Sequence, residues 1–258
     1  MNNLVDSHCH LNDDFFLDKV EEYILKAKNN GVRYINIVGY DLASSLKAIE
    51  IANKYDGVYA SIGFHPENIE GLDISEIEKL IPLLENKKVI AIGEIGLDYH
   101  WYKDQAFRDI QKQWFIKQIE FANRFNLPIS IHARDAAADT YEILKSHPCR
   151  NGGVLHCYSG SKEMLKLFAN LGYYFGFDGP ITYKNAVEPK ECVKECSIDR
   201  ILTETDSPYL SPVPFRGKPN DPSNIKFIVE QMAALKEVEV EYLSDKIEEN
   251  FINLFHVK

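Results

Sequence analysis

Short apolar runs alternate along the chain with longer amphipathic stretches. The apolar runs have the length of β-strands, and some, such as residues 34–38, are almost continuously apolar, which is typical of strands covered on both faces. The pattern predicts eight strands, over residues 4–8, 34–38, 58–63, 89–93, 128–132, 153–156, 173–177 and 200–205. It predicts helices between them, over 16–29, 42–55, 74–84, 105–125, 137–146, 162–171 and 188–196, and two more near the C-terminus, over 223–235 and 240–255.

Strands separated by helices indicate βαβ units and therefore a parallel sheet. Eight such units in about 250 residues fit an α/β fold, a single-domain (β/α)8 TIM barrel over residues 1–258 with an extra C-terminal helix. A doubly wound open sheet is the structural alternative. The chain has no Gly-x-Gly-x-x-Gly motif after a predicted strand, which argues against the dinucleotide-binding form of that alternative.

The composition restricts the class of partner. The 258 residues include 29 basic and 39 acidic side chains, and the net charge of −10 argues against a broad basic surface for duplex nucleic acid. The sequence predicts neither a membrane span nor a signal peptide, and its odd number of five cysteines is typical of reduced thiols. We therefore expect a cytoplasmic protein that does not contact a membrane.

Residue types that commonly bind metals lie where the predicted strands end. His8 and His10 are two apart at the end of the first strand, so their side chains point to the same side. Such a pair also occurs on ordinary surfaces, but four further strand ends carry Glu94, His132, His156 and Asp206. Because the active site of a parallel barrel forms at these ends, we expect the six side chains to meet there.

Four histidines and two carboxylates exceed the needs of one tetrahedral ion and suit two divalent ions bridged by a carboxylate. Glu94 is the expected bridge, because it comes from the middle strand of the set. Gly93 and Gly96 flank it and would let backbone and substrate approach closely. Histidine-rich ligand sets favour Zn²⁺, Mn²⁺, Co²⁺ or Ni²⁺, whereas Mg²⁺ prefers oxygen ligands.

Six ordered motifs run nearly from end to end of the chain. They are DSHCHL at 6–11, GFHP at 63–66, GEIGLDY at 93–99, IHAR at 131–134, HCYSG at 156–160 and ETDSP at 204–208. Together they resemble the TatD family of metal-dependent deoxyribonucleases, within the amidohydrolase-like metallohydrolases. The resemblance implies a complete set of metal ligands: His8, His10, Glu94, His132, His156 and Asp206. The loop 214–220 departs slightly, since relatives usually carry Arg where Lys218 stands.

The resemblance also leads to a hypothesis for the catalytic roles. One ion would be held by His8, His10, Glu94 and Asp206, and the other by Glu94, His132 and His156. Asp206 would orient the attacking water or accept its proton. His65 would complete a catalytic set with Glu94 and Asp206, by binding a phosphate oxygen or protonating the leaving oxygen. The alternative for His65 is a structural histidine packed beside Pro66.

Three further residues are candidates for substrate binding. Arg134 could bind a phosphate through its planar guanidinium, or it could hold a neighbouring carboxylate. Asp98 is a second candidate for substrate binding. It could instead orient a ligand histidine or cap its loop. Arg216, with Lys218 beside it, could touch a nucleic-acid backbone, and surface charge is the alternative.

The leading hypothesis for function is a metal-dependent phosphodiester hydrolase, a 3′–5′ exonuclease acting on single-stranded DNA ends as a monomer. An acidic chain with a small metal cleft suits such an end better than a duplex, and residues 100–102 could stack its bases or form a packed lid. The wider superfamily makes an acyl hydrolase, such as a D-aminoacyl-tRNA deacylase, the alternative. A metal-stabilised scaffold without catalysis is the third hypothesis.

Overall fold

The computed structural model describes residues 3–257, and its strands form one eight-stranded parallel sheet in chain order. The strands are β1 (Leu4–Cys9), β2 (Val32–Val38), β3 (Val58–Ile62), β4 (Val89–Asp98), β5 (Ile129–Arg134), β6 (Gly153–Leu155), β7 (Tyr174–Phe177) and β8 (Ile201–Thr203). A helical segment joins each strand to the next, and β8 lies beside β1. The predicted TIM barrel is therefore confirmed.

Eight α-helices lie within residues 3–257. They are α1 (Val20–Asn29), α2 (Leu42–Ala52), α3 (Gln105–Phe125), α4 (Ala137–Ser146), α5 (Lys162–Asn170), α6 (Val187–Glu195), α7 (Ile225–Lys236) and α8 (Val240–Phe255). Both α7 and α8 follow β8, so the barrel carries the predicted extra C-terminal helix. Each helix of residues 3–257 is too short or too polar to cross a membrane.

The connection between β3 and β4 differs from the α-helix predicted over 74–84. It is a 3-10 helix, Ile74–Glu85, and it contains Pro82. Proline has no backbone N–H to donate, and its ring clashes with the carbonyl four residues earlier in an α-helix. The tighter helix still buries Ile77 and Leu80 against the core, which is why the apolar pattern resembled that of an α-helix.

Strand β4 is longer than predicted and runs five residues past Gly93, with every residue buried. Gly96 has a φ of 145°, and a Cβ there would collide with the carbonyl oxygen of His132. A Cβ on Gly93 would lie 2.6 Å from the Cβ of Ser130. The two glycines therefore bring β4 against β5, which is the close backbone approach expected of them.

The barrel closes between β8 and β1 through side-chain hydrogen bonds, together with backbone hydrogen bonds just beyond the end of β8. Across residues 3–257, the strand ladders join β1 to β8 in sequence without a ladder from β8 back to β1. Instead, the Thr203 hydroxyl donates to the carbonyl of Val5 at 2.7 Å. The carboxylate of Asp6, which is fully buried, accepts from the backbone N–H and the hydroxyl of Thr205 at 3.0 and 2.6 Å. We call this set of contacts the β8–β1 seam.

Candidate active site

Glu94 lies where four histidines converge, at the carboxyl ends of the strands. Its Oε1 is 2.8 Å from Nδ1 of His132 and 2.7 Å from Nε2 of His156. Its Oε2 is 3.4 Å from Nε2 of His8 and 3.7 Å from Nε2 of His10. Each carboxylate oxygen therefore faces its own pair of histidines, which is the arrangement that a carboxylate bridging two ions requires.

Asp206 completes the donor group on the Oε2 side of Glu94. Its Oδ1 lies 3.4 Å from Nε2 of His10 and 3.8 Å from Nε2 of His8. Its backbone has a φ of 51°, and its N–H donates to the carbonyl of His8 at 2.9 Å, across the β8–β1 seam. The positions of His8 and Asp206 are thus tied together by the closure of the barrel.

The hydrogen bonds of His10 and His132 indicate which ring nitrogen is free to bind a metal. Nδ1 of His10 lies 2.9 Å from the carbonyl of Val38, which can only accept, so Nδ1 carries the proton and Nε2 is free. Nε2 of His132 lies 3.0 Å from Oδ2 of Asp98. Burial would raise the pKa of Asp98, but hydrogen bonding lowers it to about 2, so this carboxylate accepts and Nδ1 of His132 is free. Both free nitrogens point toward Glu94.

His156 also has a carboxylate behind its ring, at a distance slightly longer than a hydrogen bond. Its Nε2 contacts Glu94, and its Nδ1 lies 3.6 Å from Oε1 of Glu204, a fully buried carboxylate. Glu204 also accepts from the backbone N–H of Cys157. A carboxylate behind a histidine fixes the ring and raises its basicity as a metal ligand. Glu204 was missed in the sequence, where it stood inside a motif as a neighbour of Asp206.

His65 differs from these histidines in which ring nitrogen carries the proton. The backbone N–H of Glu67 donates to its Nδ1 at 3.1 Å, so in the neutral ring the proton is on Nε2. That Nε2 lies 3.4 Å from Oε1 of Glu94. A ring nitrogen that carries a proton is a hydrogen-bond donor and not a metal ligand, and burial lowers the pKa of His65, which keeps the ring neutral.

The surroundings of Glu94 keep its carboxylate ionised, although it is buried among histidine rings. Burial would raise the pKa of Glu94, but nearby His156, His65 and His132 hold it well below its usual range. Burial lowers the pKa of His8. Burial would also lower the pKa of His132, but hydrogen bonds to carboxylates raise it above the usual value. Glu94 is therefore the fixed negative charge at the centre of the site.

The donor set fits divalent cations. Nε2 of His8 and Nε2 of His10 lie only 3.2 Å apart, and the free nitrogens of His132 and His156 lie 3.3 Å apart against the same oxygen of Glu94. Buried lone pairs that face one another at these distances repel, and a proton or a bound cation between them removes the repulsion. Imidazole nitrogens with carboxylate oxygens are the ligands that Zn²⁺ and similar ions take in proteins.

Donor atoms within 4.8 Å of one another form three groups among residues 3–257, and these combine the predicted ligands with His65. The groups are His8, Glu94 and His156; His8, His10 and Asp206; and His65, Glu94 and His132. All six predicted ligands are thus brought together. His65 is added by distance, and its protonated Nε2 sets it apart chemically.

A cavity of about 770 Å³ opens from this cluster to the surface. Arg134 and His65 line it. The guanidinium of Arg134 lies over the ring of Trp101, 5.5 Å from its centroid. Among the described residues, it makes no ion pair with a carboxylate, so the interpretation of Arg134 as a carboxylate clamp is not supported.

The other two substrate-binding candidates lie outside the cavity lining. Asp98 is fully buried behind His132, so its position fits the orienting role and not contact with substrate. Arg216 is exposed and stacks on Tyr183, with its guanidinium 4.4 Å from the ring centroid. Neither side chain lines the cavity, and the prediction that they bind substrate is not supported by the geometry.

Two glutamines of α3 were missed although they position the site. The Gln118 amide bonds both the N–H and the carbonyl of Phe64, at 2.8 and 2.9 Å, and so holds the loop of His65. Gln111 accepts from the backbone N–H of Asp98 at 3.0 Å. Both are buried, and they are seven residues apart on the face of the helix that points to the core. That spacing was the available signal.

Comparison with known proteins gives the relatives of this chain. A family model described as TatD related DNase matches residues 5–256. YabD of Bacillus subtilis (strain 168), named an uncharacterised metal-dependent hydrolase, is 44% identical over 257 residues that cover 98% of this chain and 99% of YabD. YcfH of Escherichia coli (strain K12), named in the same way, is 39% identical over 258 residues that cover 98% of this chain and 96% of YcfH.

Solved structures agree with these relatives. The crystal structure of YJJV, a TatD homolog from Escherichia coli K12, has a TM-score of 0.94 at 28% identity and covers 100% of this chain and 99% of that chain. A hydrolase of the TatD family from Entamoeba histolytica has a TM-score of 0.86 at 25% identity, with 98% of each chain covered. The resemblance inferred from the motifs is confirmed, and the chain is a metal-dependent hydrolase that belongs to the TatD-related DNase family.

Proposed function

We propose that the cleft hydrolyses phosphodiester bonds at the 3′ ends of single-stranded DNA, with two divalent ions held by the six ligands. The observation that carries this proposal is the division of donors around Glu94, with one pair of histidines at each oxygen. Two ions in such a site lower the pKa of a water molecule and stabilise negative charge on the phosphate oxygens. The remaining chemistry belongs to the side chains.

The site contains one group that can accept a proton from the attacking water and one that can donate a hydrogen bond to the leaving oxygen. Asp206 lines the cavity and is the carboxylate that takes a proton from the attacking water while the oxygen of that water bonds to phosphorus. As the bond from phosphorus to the leaving oxygen breaks, the Nε2–H of the neutral His65 ring donates a hydrogen bond to that oxygen, which takes its proton from solvent water. The backbone N–H of Glu67 keeps the ring proton on Nε2. Arg134, exposed at the wall of the cavity, is placed to pair with a neighbouring phosphate.

The charge of the cavity wall also supports a second candidate, an acyl hydrolase acting on an ester or amide. Arg134 is the single Lys or Arg side chain among the described residues that line the cavity, whereas Asp13, Glu67, Glu94 and Asp206 are acidic. Glu94 and Asp206 would be neutralised by the ions that they hold, and the rest of the wall offers few contacts to a long polyanion. It suits either a short single-stranded end or a substrate whose reacting bond is an acyl bond.

The first experiment compares Glu94→Gln with the wild-type protein after metal removal and separate reloading with Mg²⁺, Mn²⁺ and Zn²⁺. Glutamine keeps the shape but loses the bridging charge, so we expect loss of bound metal and at least about a hundredfold lower turnover on 3′-ended, labelled single-stranded DNA. His65→Gln should retain metal and lose turnover only. Glu120→Gln, an exposed change on α3, is the matched control.

The outcomes separate the candidates. Stepwise shortening from the 3′ end that requires metal and disappears in Glu94→Gln supports the exonuclease. DNA that stays intact under every metal, while an aminoacyl ester is hydrolysed by the same sample, overturns it in favour of the acyl hydrolase. Equal turnover of Glu94→Gln and wild type would contradict both.

A further inference from the structure

Two of the large exposed aromatic side chains line the catalytic cavity. Trp101 is 64% exposed and Tyr209 is 55% exposed. Trp101 is one of two tryptophans in the chain, and the other, Trp114, is buried in the core. Removing a large aromatic ring from water lowers the free energy, so exposed rings at the rim of a catalytic cleft are candidates for contacts with a ligand.

The two rings approach the ligand cluster from opposite sides of the barrel. Trp101 lies in the loop after β4, and Tyr209 lies in the loop after β8. Strand order follows the chain, so three strands lie between β4 and β8 in either direction around the eight-stranded barrel. The ligand cluster around Glu94 lies at the floor between them, since it lines the same cavity.

Trp101 is fixed by its neighbours. Its backbone N–H donates to Oδ1 of Asp98 at 3.1 Å. The ring of His100 meets the indole edge to face with centroids 4.6 Å apart, and Nδ1 of His100 lies 3.0 Å from Oδ2 of Asp135. Arg134 covers part of the indole. The ring is therefore held in place and still largely open to a ligand, which reduces the entropy lost on binding.

Tyr209 is fixed through the backbone of the site. Its N–H donates to the carbonyl of Asp206 at 2.9 Å, so the ring starts from the turn that carries a metal ligand. Tyr209 and Asp206 both line the cavity. A group stacked on this ring would lie next to the reacting centre.

The charges of the cavity wall favour contacts other than ion pairs. Outside the proposed metal ligands, the described lining has two carboxylates, Asp13 and Glu67, and Arg134 as its single Lys or Arg, so beyond the ions the wall offers few contacts to backbone phosphates. Base stacking on aromatic rings tolerates every sequence, because each base has a π-face. It requires bases that are not paired in a duplex.

We propose that Trp101 and Tyr209 each stack one of the two bases that flank the scissile phosphate. The substrate class is therefore a single-stranded nucleic acid whose last two bases are spread apart, one on each side of the cleft. This inference rests on the proposed phosphodiesterase function and adds its base-recognition subsites. It also explains how an acidic cleft can accept a nucleic-acid end.

The test uses Trp101→Ala, Tyr209→Ala and a matched control, Tyr242→Ala, which is 48% exposed on α8 and does not line the cavity. The assays contain the metal that supports cleavage. The substrates are single-stranded oligonucleotides with normal bases, or with one abasic residue on one or the other side of the cleaved bond. Each cleft variant should raise KM by about tenfold or more on normal DNA, with a smaller change in kcat. The penalty of each variant should fall when the base that it stacks is missing, and the two variants should respond to opposite positions.

Binding of cleavage-resistant phosphorothioate DNA separates this inference from the proposed function. Loss of binding in both cleft variants without any hydrolysis of normal DNA by the wild type would support the stacking subsites and overturn the nuclease. Hydrolysis by the wild type with unchanged KM and binding in both variants would overturn the stacking. A response of both variants to the same abasic position would overturn the two-sided arrangement.

Discussion

Histidines of one cluster differ in function here because their backbones and neighbours differ. His132 donates from Nε2 to Asp98 and offers Nδ1 to Glu94, whereas His65 accepts at Nδ1 and keeps a proton on Nε2. The residue type is the same, but one ring has a nitrogen free to bind a cation and the other donates a hydrogen bond. Asp98 is therefore as important to the site as a direct ligand.

Asp98→Asn should weaken metal binding by roughly tenfold to a hundredfold. Asp98 accepts from His132 through one oxygen and from the backbone N–H groups of His100 and Trp101 through the other, and an amide cannot accept on both sides. Calorimetric titration of the metal-free protein measures the change. Asp109→Asn, on the exposed side of α3, is the control. Unchanged metal affinity would leave Asp98 as a loop cap only.

The clustering of the six proposed ligands was predictable from the sequence because they obey a simple rule, in which polar residues follow apolar strands. His8 and His10 illustrate it, since they are two apart on one strand. Glu204 and Gln118 were not predictable in this way. They act through contacts over long separations, 48 residues from Glu204 to His156 and 54 from Gln118 to Phe64 in chain position, and no local pattern records such contacts. Asp98 and Arg216 were placed near substrate because the sequence does not show burial.

At the scale of the elements, the β8–β1 seam joins the fold to the site. The seam lies between the strand of His8 and the turn of Asp206. Side-chain hydrogen bonds and the backbone hydrogen bond from Asp206 to His8 take the place of a strand ladder within the described residues, so Asp6 and Thr205 help to set the separation of these two proposed ligands.

Thr205→Val should lower the free energy of unfolding by about 1–3 kcal/mol and weaken metal binding as well. Valine has nearly the same shape but leaves the buried Asp6 carboxylate without one donor. Chemical denaturation of the metal-free protein measures the first effect. Thr140→Val is the control, because the Thr140 hydroxyl is buried without a hydrogen-bond partner and its loss should be neutral or stabilising. Equal stability of both variants would contradict this function of the seam.

Element type and order were predictable, and element ends were less so. The alternation of apolar runs and amphipathic stretches is enough to indicate a parallel barrel. The 3-10 helix at Ile74–Glu85 and the long β4 depend on Pro82 and on the contact of Gly96 with β5, which outweigh the apolar pattern.

At the scale of the whole molecule, the barrel collects buried charges and imidazoles at one end. A cation that fills this cluster binds the folded state and not the unfolded chain, so it must stabilise the fold. The effect increases with metal concentration above the dissociation constant.

Chelation should therefore lower Tm by roughly 5–10 °C per ion lost. This follows from about 2.7 kcal/mol at a metal concentration of one hundred times Kd and from the size of the chain. Differential scanning calorimetry before and after chelation, with re-addition of metal, provides the measurement. Asp98→Asn should show a smaller shift under the same conditions. A Tm that does not respond to chelation would show that the cluster exists without bound ions.

The acidic wall of the cavity has a consequence for how such an enzyme would work through a strand. A nuclease that encircles its substrate with many cations stays attached between successive cuts. Outside the proposed metal ligands, the described lining offers one guanidinium and two carboxylates, so little beyond the ions holds the shortened strand once the cleaved nucleotide has left. Digestion should be distributive, with the strand released after each cut, and it should depend only weakly on the concentration of monovalent salt.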